Sequence, residues 1–138
     1  MMTNLAQPAL EELMNRARVA AERAYAPYSK FRVGAALQLS NGAIVTGANV
    51  ENVSYGLTIC AERSAVVRAV AEHGPQIRIM AVAVTNLNDA PSPPCGACRQ
   101  VLAEFIAPET PIVFPSAKGM VTMPFAELLP MAFFLKME

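Results

Sequence analysis

Ile77-Arg78-Ile79-Met80-Ala81-Val82-Ala83-Val84-Thr85 is an apolar run of strand length, and its reading decides the fold. A strand that is apolar on both faces needs cover on both, so this one belongs at the centre of a sheet with helices packed against it. The neighbouring segments supply that cover. Upstream, residues 60 to about 72 carry Ala and Val on most sides of a helical projection and predict a largely buried helix, stopped by Gly74-Pro75. Downstream, the Asn-, Asp-, Ser- and Pro-rich stretch from Asn86 to Pro94 predicts a loop. After it, Cys98, Val101, Leu102, Phe105 and Ile106 mark a third helix, and Pro111 to Phe114 a short strand.

Further out, Leu10, Leu13, Met14, Ala17, Ala21 and Ala24 recur at helical spacing, with Glu11, Glu12, Arg16 and Arg23 on the other side, so an amphipathic first helix ends before Pro27. Phe31, Val33, Ala35, Leu37 and Leu39 then alternate as a strand, and Ser40-Asn41-Gly42 turns the chain into a second strand from Ala43. That strand runs into the polar segment Asn49-Val50-Glu51-Asn52. Near the C-terminus, Met120 to Met123 predicts a last strand, followed by a helical turn near Phe125 to Leu129 and the apolar stretch Ala132-Phe133-Phe134-Leu135. The alternation of strands and helices predicts a layered α/β domain spanning residues 1–138, with right-handed crossovers making the later strands parallel. No internal repeat is visible.

Composition narrows the function. Hydrophobic residues make up 54% of the 138 and charged residues 16%, a shortage of charge that suggests an oligomer interface. The 11 basic and 11 acidic residues cancel, with no run of Lys or Arg. Nucleic-acid binding depends on clustered cations that release counterions, so a small substrate is the better expectation. No apolar run reaches the roughly 18 residues of a membrane span, and Met1 to Pro8 lacks the pattern of a signal peptide, so no membrane is expected and the cytoplasm is the default. Three cysteines, two of them in a C-x-x-C, fit reduced thiols better than a disulfide framework.

Cys60 and the unit Cys95-Gly96-Ala97-Cys98 each lie where a strand or loop hands over to a helix. The partial positive charge at a helix N-terminus favours the thiolates that a metal requires, and soft sulfur ligands select zinc or iron–sulfur chemistry. A structural zinc is normally closed by four protein groups, whereas a catalytic zinc keeps one position for water. His73, the only histidine, sits at the other end of the Cys60 helix, roughly 20 Å away at 1.5 Å per residue, too far to close the site. An open position follows. A redox pair or buried thiols would leave Cys60-Ala61-Glu62 and Pro94-Cys95 unexplained. Zinc deaminases of nucleobases combine a ligand-x-Glu unit with a later P-C-x-x-C, and both occur here. Glu62 is then the catalytic acid and base; its bland alternative is an acidic residue that complements the helix dipole.

Ala24-Tyr25-Ala26-Pro27-Tyr28-Ser29-Lys30-Phe31, Val33-Gly34-Ala35-Ala36, Asn49-Val50-Glu51-Asn52, Cys60-Ala61-Glu62-Arg63 and Pro93-Pro94-Cys95-Gly96-Ala97-Cys98-Arg99-Gln100 together resemble the small homotetrameric cytidine deaminases. The resemblance spans almost the whole chain. It implies a three-layer fold with a mixed sheet of about five strands and helices on both faces, a zinc held by Cys60, Cys95 and Cys98, and hydrolysis of free cytidine and deoxycytidine. It also implies substrate contacts from Phe31, Asn49, Glu51, Tyr55 and Ala61, with Tyr55 and Phe133 reaching a neighbouring subunit's pocket in a homotetramer. Phe134 competes with Phe133 for that place, because Met131 stands where the family often has glycine.

Residue chemistry supports parts of this independently. Asn49 and Glu51 are two apart, so on an extended chain they face the same way and together offer a sugar hydroxyl a donor and an acceptor; polar residues closing a strand are the plain alternative. Three thiolates give zinc a formal site charge of −1, which weakens it as a Lewis acid, and Arg63, beside Glu62, is placed to offset that charge. Two other functions share the zinc motifs: deamination of a different aminopyrimidine such as a blasticidin-type antibiotic, and a zinc-stabilised interaction module without catalysis.

Overall fold

A computed structural model describes residues 7–135. Most of the Met1 to Pro8 segment considered as a leader therefore lies outside the described residues. The chain runs α1 (Gln7–Ala21), β1 (Val33–Leu39), β2 (Ile44–Ala48), a single 3-10 turn (Tyr55–Leu57), α2 (Ala61–His73), β3 (Ile79–Asn86), α3 (Gly96–Ala103), β4 (Pro111–Ser116), β5 (Gly119–Pro124) and α4 (Phe125–Leu128). The strands form one mixed sheet in the order β2-β1-β3-β4-β5. The expected five strands with helices on both faces are all present.

The central run behaves as its composition demands. Ile79, Val82 and Val84 of β3 join Ala35, Leu37 and Leu39 of β1 in a core under α2 and α3. Ala81 and Ala83 point the other way and meet Leu10, Leu13, Met14 and Ala17 of α1. Two helical layers thus enclose β3, which is why a strand without polar alternation is stable there.

Strand direction departs from expectation. Only β3 and β4 are parallel; β5 returns antiparallel to β4, pairing Ser116 with Gly119. A two-residue turn at Ala117-Lys118 is too short for a crossover and forces a hairpin, with the Ser116 hydroxyl donating to the Gly119 carbonyl at 2.7 Å. Element ends also move. The first helix stops at Ala21 because Tyr25 is drawn into a bridge with Val50, its N–H donating to the Asn49 carbonyl at 2.9 Å. Strand β1 starts at Val33, two residues past Phe31, because side chains engage the backbone before it: Asn49 Nδ2 donates to the Phe31 carbonyl and the Arg32 N–H donates to Asn88 Oδ1. Helix α3 ends at Ala103, and Ile106 forms a bridge with Ile79 instead of continuing the helix.

Two glycines set how closely the helices seat on the sheet. A Cβ on Gly34 would stand 2.0 Å from the Ala17 carbonyl oxygen, and one on Gly47 would stand 2.4 Å from the Ala65 nitrogen. The obstructing atoms are helix backbone, which has no rotamer to relax. Gly34→Ala is therefore expected to destabilise the fold by about 3 kcal/mol or more, at or beyond the upper end of ordinary overpacking. Thermal unfolding monitored by circular dichroism checks this, with a midpoint drop of about 10 °C or more expected. The same close seating at Gly47 brings the N-terminal end of α2, which carries Glu62, down against β2.

Candidate active site

Cys60 caps the N-terminus of α2, Cys95 caps α3, and Cys98 lies in the first turn of α3. The two helix N-termini thus meet at the three sulfurs, as the handover positions predicted. Cys60 Sγ is 3.8 Å from Cys95 Sγ, and Cys95 Sγ is 3.4 Å from Cys98 Sγ; all three lie within 4.8 Å of one another. Tetrahedral zinc with Zn–S bonds near 2.3 Å requires sulfurs about 3.8 Å apart, so the cluster fits the ion. Among the described residues, no fourth His, Cys, Asp or Glu joins the group. His73 ends α2 at the far side from Cys60, with its Nδ1 3.2 Å from the Asn41 carboxamide.

The charges around the sulfurs are arranged for thiolate. The Cys98 thiol, hydrogen-bonded to Cys60, together with the Arg63 guanidinium, brings the Cys60 pKa down to about 5. The same pairing and burial push the Cys98 thiol up. Zinc binding requires the protons on these thiols to leave. Arg63 Nη2 approaches Cys60 Sγ at 3.4 Å, and the guanidinium also faces Cys98. Its Nε is buried with no hydrogen-bond partner among the described residues.

Glu62, in the first turn of α2, is only 4% exposed, a burial that complementing the helix dipole does not call for. Burial, with the Cys60 charge adding to it, pushes its carboxyl up to about 7.

Cys60, Cys95 and Glu62 line a cavity of about 390 Å³ that Phe31, Asn49, Glu51, Tyr55 and Ala61 also line. Phe31, Asn49, Glu51 and Ala61, expected around one pocket, are brought together, and Tyr55, expected to reach a neighbouring subunit's pocket, lines this one as well. Phe31, just before β1, supplies an apolar wall. Asn49 Nδ2 donates to the Phe31 carbonyl at 2.8 Å, and its Oδ1 accepts from the Val33 N–H at 2.9 Å, so among the described residues one side-chain N–H remains free. Glu51 Oε1 accepts from the N–H groups of Tyr28 and Ser29 at 3.0 and 3.1 Å, while Oε2 accepts from the Ser29 hydroxyl. The Ser29 hydroxyl foremost holds the Glu51 carboxyl below its ordinary range. Of the four lone-pair positions of this carboxylate, three are occupied among the described residues.

Tyr55 is 84% exposed at the cavity and Phe133 is 67% exposed. Phe133 lies on the tail after α4, where Gln100 Nε2 donates to its carbonyl at 2.8 Å, and it does not line this chain's cavity. Phe134, its competitor, lines a separate groove against Ile106 and Phe125 of the same chain. Sequence reasoning overlooked Ser29, Thr58 and Val84, which line the cavity. It also overlooked the part played by Arg99. Its Nε donates to the Pro94 carbonyl and its Nη1 to the Leu128 carbonyl, each at 2.8 Å, so it ties the loop before Cys95 to α4. Ser29 and Arg99 stand inside recognisable motifs, but their partners are distant in sequence and no spacing rule points to them.

Sulfur ligands select zinc, the lack of a fourth protein ligand leaves room for water, and a buried carboxyl in the same cavity is the group such a water needs. That combination, at one end of the strands of a layered mixed sheet, defines a zinc-dependent deaminase, a hydrolase. The chain belongs to the family described as the cytidine and deoxycytidylate deaminase zinc-binding region, whose model it matches over residues 8–114. A cytidine deaminase of Halalkalibacterium halodurans is 46% identical over 122 residues, which cover 88% of this chain and 91% of that protein. One from Mycobacterium tuberculosis is 52% identical over 92 residues, covering 67% of this chain and 68% of that one. The solved structure of cytidine deaminase from Burkholderia pseudomallei superposes with a TM-score of 0.81 at 42% identity, covering 94% of this chain and 100% of that one. A solved mutant cytidine deaminase from Mycobacterium tuberculosis gives a TM-score of 0.82, also at 42% identity, over 91% of this chain and 95% of that one.

Proposed function

We propose that this enzyme, acting as one domain over residues 1–138, hydrolyses free cytidine and deoxycytidine to uridine and deoxyuridine with release of ammonia, a step of pyrimidine salvage. The observation that carries the reading is the one cavity that buried Glu62, Cys60 and Cys95 line together with Asn49 and Glu51, with Cys98 buried directly behind Cys95. Chemistry on a base and recognition of a sugar are thereby within one nucleoside's reach.

In this reading Cys60, Cys95 and Cys98 hold the zinc, which when bound supplies an acidified water at neutral pH. Glu62 accepts the proton of that water as it adds to the ring carbon bearing the amino group. The carboxyl then delivers a proton to the adjacent ring nitrogen. It then takes the proton of the new carbon-bound hydroxyl and passes it to the amino nitrogen, the carbon–nitrogen bond breaks, and ammonia leaves as the carbonyl forms. Phe31 and Ala61 flank the base. The free N–H of Asn49 and the remaining lone pair of Glu51 amount to one donor and one acceptor, the complement of a single hydroxyl. That match supports acceptance of both ribose and deoxyribose.

Arg63 balances the negative ligand set. Arg63→Ala is expected to retain zinc but to lower kcat by about tenfold to a hundredfold, the usual cost of losing a group that tunes a metal's ligands. Steady-state kinetics with zinc content measured on the same preparation checks this.

The exposed apolar side chains Val53, Tyr55 and Leu57 near the cavity, with Met131, Phe133 and Leu135 on the tail, support a homotetramer whose subunits share pockets through Tyr55 and Phe133. Three unpaired thiols suit a reducing cytoplasm. Among the described residues, no helix is long and apolar enough to cross a membrane. Ammonia release from cytidine, deoxycytidine and blasticidin S tests the substrate. Turnover of the two nucleosides at least tenfold above the antibiotic is expected, and the reverse order would overturn the assignment.

A further inference from the structure

The turn that carries Ser29 wraps around the Glu51 carboxylate. Its two N–H groups saturate Oε1, and the Ser29 hydroxyl donates to Oε2. The direction of that hydroxyl is itself set, because its oxygen accepts the Phe31 N–H at 2.9 Å, leaving the hydroxyl proton to point at Glu51. Lys30, in the left-handed region at a φ of 62°, makes the bend that lets Ser29 both donate backward and accept forward. No other side chain hydrogen-bonds to Glu51 among the described residues. Ser29 also lines the cavity itself.

We propose that Ser29 is a positioning residue, whose hydroxyl holds the Glu51 carboxylate so that its one remaining lone pair is aimed at the sugar hydroxyl of the substrate. This rests on the reading of Asn49 and Glu51 as the sugar contact. The backbone N–H bonds anchor one oxygen only and leave the carboxylate free to pivot about it. The Ser29 hydroxyl fixes the second oxygen and with it the plane of the group. Losing a hydrogen bond to a charged group in this position costs about tenfold in affinity.

The test compares Ser29→Ala, Ser29→Thr and Glu51→Gln with the unaltered enzyme, using cytidine and 2′,3′-dideoxycytidine. Ser29→Ala is expected to raise KM for cytidine about tenfold with kcat within about twofold, the pattern of lost substrate binding. Its kcat/KM for dideoxycytidine, which has no hydroxyl at these positions to contact, should stay unchanged, and Ser29→Thr should restore cytidine binding. Equal losses on both nucleosides would show a merely structural role, and no loss on either would make the hydroxyl a bystander; each overturns the proposal. Glu51→Gln distinguishes the underlying reading. If it leaves the preference for cytidine over dideoxycytidine intact, the sugar contact itself is misassigned and the role of Ser29 falls with it.

Discussion

Glu62→Gln is expected to bind zinc as fully as the unaltered enzyme and yet to deaminate cytidine about a thousandfold more slowly or worse. The amide is nearly the same size as the carboxylate, so the surroundings of Glu62, itself only 4% exposed, should keep their packing. Its loss is one of function: an amide neither accepts a proton from the attacking water nor hands one to the departing nitrogen. General acid–base groups contribute about a hundredfold to ten-thousandfold, and here one carboxyl serves several transfers in succession. The measurement is ultraviolet loss of cytidine with zinc determined on the same sample. A zinc-loaded variant within tenfold of the unaltered enzyme would remove Glu62 from the mechanism.

Cys98→Ser should fail differently. Cys98 is fully buried, and its sulfur is the one furthest from solvent in the cluster. A hydroxyl is a far poorer ligand for zinc than a thiolate, so zinc content should fall well below one per chain and activity should fall below detection. Without the ion, water keeps its ordinary acidity, and the difference between a pKa of 15.7 and one near 7 corresponds to about 12 kcal/mol of deprotonation. Elemental analysis after gel filtration separates this outcome from that of Glu62→Gln, in which the metal stays.

The ligand set was legible because cysteines are few and their neighbours are diagnostic. Cys60-Ala61-Glu62 and Pro94-Cys95-Gly96-Ala97-Cys98 are local patterns, and a helix start at each follows from local chemistry. The central strand was legible for a similar reason, since an apolar run of this length has few other homes in a layered domain. What escaped depended on contacts between distant segments. The first helix ends three residues early because Tyr25 pairs with Val50, a bridge across 25 positions that no helical pattern reveals. The β4–β5 hairpin was misread as part of a parallel arrangement because Ala117-Lys118 lacks the Asn-Gly signature found at Asn41-Gly42. Ser29 and Arg99 escaped for the same reason: their partners, Glu51 and Leu128, lie 22 and 29 positions away.

The pairing of Asn49 with Glu51 was read as two side chains facing one way, and both do line the cavity. Each is also committed to the chain segment 28–33, which the two-residue spacing could not reveal. The proposed sugar contact is thus built from a pre-tied loop, and its polar groups would need little rearrangement to receive a nucleoside.

The most direct test of the account is a zinc titration of chelator-stripped protein, following cytidine deamination at each addition. Activity should be absent at the start, rise in proportion to bound zinc and level off at one zinc per chain. Full activity in the stripped protein, or a zinc-saturated protein that leaves cytidine unchanged, would contradict it.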